Sequence, residues 1–118
     1  MKLKSIEMEN MIEQLKQLLS HRDKIGYVAA RNTRILKEAL TEYFIFKNDL
    51  IKKYGNEDKD TNTIYIEPTS PNFSDFLKEF EEIGNIEHDI DIMTIPYEDA
   101  IGLLNGNEIL SLDWMFKE

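Results

Sequence analysis

A chain of 118 residues, 42% hydrophobic and 31% charged, is long enough for one hydrophobic core and is expected to form a single domain over 1–118, neither disordered nor fibrous. The absence of cysteine excludes disulfides, thiolate metal sites and cysteine nucleophiles together, and it suits a reducing cytoplasm. The net charge of -9 is unevenly placed: residues 1–54 carry 11 Lys/Arg against 7 Asp/Glu (+4), and residues 55–118 carry 3 against 16 (-13), a field that repels duplex DNA and attracts a basic partner unless the halves neutralise each other.

No apolar run approaches the roughly 18 to 20 residues of a membrane span, and Met1-Lys2-Leu3-Lys4 does not lead into the continuous apolar core of a signal peptide, so a cytoplasmic protein without a membrane partner is expected. From Ser5 to about Ser20, Met8, Met11, Ile12, Leu15, Leu18 and Leu19 fall on one helical face. His21 to Gly26 lacks that period and is predicted to be a short basic turn. Tyr27 to Tyr54 contains no Gly or Pro and keeps a three- or four-residue apolar step, which predicts one long helix closed by a left-handed cap at Gly55 and paired antiparallel with the first.

Asn56 to Asn62 is polar and reads as an exposed loop, followed by a short strand, Thr63-Ile64-Tyr65-Ile66. Ser70-Pro71 opens a third helix whose apolar face is Phe73, Phe76, Leu77, Phe80 and Ile83, ending at Gly84. Ile86 to Ile95 alternates and is predicted to be a second strand, paired with the first and lying against the helices. A short helix over residues 97 to 104, a turn at Asn105-Gly106 and a last helix capped by Asn107 complete the chain. The fold class is therefore α+β, helix-dominated, with a long antiparallel helical hairpin, a small two-stranded β element and short C-terminal helices.

Three groups of residues invite chemistry. Lys24, Arg31 and Arg34 lie near Tyr27 at the predicted start of the long helix, where free N–H groups and two arginines a turn apart suit an anion such as a nucleotide. The competing reading is surface pairing of these cations with Glu38 and the acidic half. Glu87, His88, Asp89 and Asp91 hint at a cation, but alternation puts His88 opposite the three acids, so no metal site is expected there and the acids are assigned to an exposed strand face. Tyr43, Phe46, Leu50 and Tyr54 form a stripe that serves either the core or an oligomer interface, most simply a homodimer. Phosphate loops, dinucleotide fingerprints and metalloprotease or serine-hydrolase motifs are missing, so neither catalysis nor a cofactor is expected.

Gly26-Tyr27-Val28-Ala29-Ala30-Arg31-Asn32, then Asp49-Leu50-Ile51-Lys52-Lys53-Tyr54-Gly55 before an acidic loop, and Leu110-Ser111-Leu112-Asp113-Trp114-Met115-Phe116 together resemble a family of small uncharacterised proteins from phages and prophages of Gram-positive bacteria. The resemblance implies a phage-encoded protein acting in a bacterial cytoplasm or during virion assembly, and assigns no role to particular residues. In that setting the leading expectation is a non-enzymatic binder that inhibits a host defence protein with a basic surface. A scaffold-like assembly protein and a protein that sequesters a small anionic nucleotide are the alternatives.

Overall fold

Met8, Met11, Ile12 and Leu15 are the buried stripe of α1 (Ser5–Leu15) in a computed structural model that describes residues 1–58, 60–61 and 63–117. The helix tightens into a 3-10 turn over Lys16–Leu18. Helix α2 (Lys24–Ala39) starts within the expected turn because the Asp23 carboxylate accepts the N–H groups of Ile25 and Gly26 at 3.0 and 3.4 Å. Gly26 is a buried residue of its first turn, and a Cβ there would lie 2.0 Å from the His21 carbonyl oxygen, so only glycine admits so close a connection.

The expected single helix over Tyr27 to Tyr54 is two helices, α2 and α3 (Thr41–Tyr54), separated at Leu40, where φ is -100° and ψ 12°. Neither Gly nor Pro causes the break. Leu40 is fully buried, and Thr41 Oγ1 donates to the carbonyls of Glu38 (3.0 Å) and Lys37 (3.4 Å), a side-chain substitute for the helical ladder. Gly55 closes α3 in extended backbone, φ -87° and ψ 171°, not in the left-handed cap expected of it.

Neither predicted strand pairs with the other. Asn56–Asp58, placed in the expected loop, is β2 and pairs antiparallel with β3 (Thr63–Tyr65); Lys59 and Asn62 of that loop lie outside the described residues. Within the second predicted strand Glu87–Asp89 is regular and its last residue, Ile95, belongs to another strand; β4 (Glu87–Asp89) pairs antiparallel with the N-terminal β1 (Lys2–Lys4), setting Lys2 opposite Asp89 and Lys4 opposite Glu87. Opposite charges facing across an antiparallel pair favour this register. Ile95–Pro96 forms β5, parallel to β6 (Phe116–Lys117).

Helix α4 (Phe73–Gly84) follows Asn72 at its cap position, with Pro71 outside it. The helix expected over 97 to 104 is the single turn α5 (Tyr97–Ala100). The last helix, α6 (Gly106–Ser111), is capped by Asn105 in place of Asn107: Glu108 N–H donates to Asn105 Oδ1 at 2.8 Å, and Asn105 N–H donates to Glu108 Oε1 at 3.0 Å. The fold is thus α+β and helix-dominated.

Leu15, Leu18, Ile25, Leu36, Leu40, Ile95, Leu112 and Met115 are wholly shielded, so the core lies among α1, α2 and the C-terminal segment. Helix α3 packs on α4, and with β2 and β3 they form an arm in which Phe73, Phe76 and Phe80 stack in series. The radius of gyration, 17.0 Å, exceeds the roughly 13.5 Å of a compact chain of this length, as an arm outside the main core requires.

Candidate functional site

The basic group splits on folding. Tyr27, Ala30, Arg31 and Arg34 line a shallow recess of about 270 Å³ along one side of α2, with Tyr27 64% exposed. Lys24 is drawn away: its ammonium meets Asp99 Oδ2 at 2.8 Å, the pairing with the acidic half that was the competing expectation. Arg31 and Arg34 are exposed and, among the described residues, form no ion pair or hydrogen bond, with Glu38 included. The start of α2 is not an open anion site either, because Asp23 occupies the N–H groups of Ile25 and Gly26. Burial works to raise the Asp23 pKa, but the N–H of Gly26, the neighbouring His21 and the N–H of Ile25 outweigh it and hold the carboxyl below its ordinary value.

The acidic strand divides as alternation predicts, with Glu87, Asp89 and Asp91 exposed and His88 turned inward. His88 Nε2 lies 2.9 Å from Oγ of Ser5, which is buried and also donates to the Ile86 carbonyl at 3.3 Å. The imidazole therefore ties β4 to the first turn of α1. Among the described residues, no three His, Asp or Glu side chains converge as metal ligands would.

The aromatic stripe of α3 does not stay on one side. Tyr43 is buried against Phe44 and Phe80, so it belongs to the core and not to an exposed interface. Its hydroxyl sits beside the Glu9 carboxylate without a hydrogen bond; burial first, then that carboxylate, push its pKa far above the ordinary value. Glu9 is held by Lys47, 2.9 Å from Oε2. Leu50 and Tyr54 are half-buried, with the Lys53 ammonium over the Tyr54 ring at 4.9 Å. Phe46 alone of the four is open to solvent, at 59% exposure, beside Ile45 at 56%.

Sequence reasoning overlooked Asn32. It is fully buried on α2, donates from Nδ2 to the Met93 carbonyl at 2.9 Å and accepts the Met93 N–H at Oδ1 at 2.7 Å. Its amide pairs with the irregular stretch between β4 and β5 as a strand would, joining the two halves. The available signal was a polar side chain at the i+4 position from Val28 and the i-4 position from Leu36, inside an otherwise apolar face.

No protein-family model, curated protein or solved structure matches the chain. Among the described residues, no helix is long and apolar enough to cross a membrane.

Proposed function

We propose that the chain is a phage-encoded, non-enzymatic binding protein of the bacterial cytoplasm, which holds a basic host protein of antiphage defence stoichiometrically against its acidic surface. One observation carries this reading: among the described residues, six exposed acids of the second half are not consumed by cations of the first. Among the described residues, the ion pairs between the halves are Lys24 with Asp99, Lys53 with Glu79 at 3.2 Å, and the Met1 amine with Asp89 at 3.4 Å. Glu67, Asp75, Glu81, Glu82, Asp91 and Glu98 stand exposed without such a partner among the described residues. A large field of one sign speeds encounter with, and selects for, surfaces of the other sign, such as those of proteins that handle nucleic acids. The resemblance to small phage proteins supplies the biological setting.

The nucleotide-holding alternative keeps the Tyr27, Arg31 and Arg34 recess but loses Lys24 to Asp99 and the helix-start N–H groups to Asp23. The test is to capture partners from host lysate at low salt on the immobilised protein and titrate the retained protein by calorimetry. A one-to-one endpoint with affinity that falls steeply with salt supports the reading. Chemical conversion of the captured protein by sub-stoichiometric amounts of the chain overturns it.

A further inference from the structure

Tyr27, Arg31, Arg34, Glu38, Glu42, Ile45 and Asp49 follow one another at steps of three and four residues, straight across the break at Leu40, and every one of them is exposed. They form a solvent-facing stripe with one portion on α2 and one on α3, divided at that break. Its α2 portion offers two arginines beside a recess lined by Tyr27 and Ala30; its α3 portion offers Ile45 and Phe46 between Glu42 and Asp49. Neither the arginines nor these two acids take an ion-pair partner among the described residues.

We infer that this stripe is the contact surface for a second copy of the chain, with α2 of each copy lying antiparallel along α3 of the other. The argument is complementarity within one sequence. A twofold axis passing at Glu38 sets Arg34 against the second copy's Glu42, Ala30 against its Phe46 and Tyr27 against its Asp49. The small Ala30 leaves the recess that a phenyl ring fills, Arg34 meets Glu42, and Arg31 lies across Ile45 with its guanidinium between Glu42 and Asp49. Because both portions lie on every chain, the contact is made twice and closes the assembly at two. Glu38 meets its own counterpart on the axis, with Arg34 one turn away on each chain to offset the repulsion. The stripe uses none of the acids on which the proposed function rests, so the two readings stand or fall independently.

Sedimentation of the full chain across a dilution series decides it. The wild type is expected to dimerise reversibly, and Phe46→Asp to raise the dissociation constant at least about tenfold. Arg31→Glu with Arg34→Glu should likewise be monomeric, as should Glu42→Arg with Asp49→Arg. Mixing these two charge-reversed variants should restore dimers, since each then presents to the other the signs that it lost, and that rescue also shows that both are folded. A wild type that stays monomeric at the highest concentration, or a mixture of the variants that gains no dimer, overturns the inference.

Discussion

At the scale of single residues, two buried polar groups make opposite contributions. Asn32 exchanges two hydrogen bonds with the Met93 backbone, so Asn32→Ala should lower the unfolding free energy by about 1 to 3 kcal/mol in urea titration, with an unchanged slope. Asn32→Asp should not rescue it, because a carboxylate cannot donate to the Met93 carbonyl. Tyr43 is the converse case: among the described residues its buried hydroxyl meets no partner at hydrogen-bond geometry, only the nearby Glu9 carboxylate, so Tyr43→Phe should leave stability equal or raise it by up to about 1 kcal/mol. The raised pKa gives this substitution a pH signature. Below about pH 10, the ordinary tyrosine value, both states keep the proton; above it the unfolded chain releases the proton first, so wild-type stability falls with rising pH. Comparing alkaline melts of wild type and Tyr43→Phe should show a shallower fall in the variant. Neither burial was settled by the sequence: Tyr43 lay in a stripe open to core or interface, and Asn32 was a lone polar residue within an apolar period.

At the scale of elements, periodicity located α1, the α2 and α3 region and α4, and alternation foretold which side chains from His88 to Thr94 turn inward, but not the exposure of Ile86 or the burial of Ile95 at the two ends of that stretch. It was silent about the break at Leu40, since Leu36, Leu40 and Tyr43 continue the same apolar step on both sides; the sign was Thr41, whose hydroxyl can take carbonyls from the preceding turn. Strand partners were out of reach for a different reason: with strands of two or three residues, the partner is chosen by where the helices bring the chain. The cross-strand match of Lys2 and Lys4 with Asp89 and Glu87 is a pattern visible only once β1 is known to be a strand. The arm made by α3, α4, β2 and β3 has Phe76 as its one buried apolar side chain beyond Tyr43 among the described residues, while α1 and α2 are held by the main core. Amide exchange should therefore be faster in β2, β3 and the far ends of α3 and α4 than in α1 and α2. Equal protection in the two regions would show that the arm unfolds only with the core.

At the scale of the whole molecule, the charge division was legible from composition, but its fate was not. Folding could have spent the acids of the second half on the cations of the first; instead Lys24 and Lys53 are used, Lys47 turns to Glu9, and Arg31 and Arg34 stay in solvent. The molecule keeps an acidic surface and, apart from it, a stripe of mixed character. A surface that binds through charge must weaken as salt screens it, because the Debye length falls from about 10 Å at 0.1 M to about 3 Å at 1 M. The measurement that bears most directly on the account is a calorimetric titration of the captured partner with wild type and with Asp75→Asn, Glu81→Gln, Glu82→Gln combined, at low and high salt. The account predicts one-to-one binding by the wild type at low salt, weakened at least about tenfold by either the substitutions or the salt. Equal affinity for both proteins at both ionic strengths would contradict it.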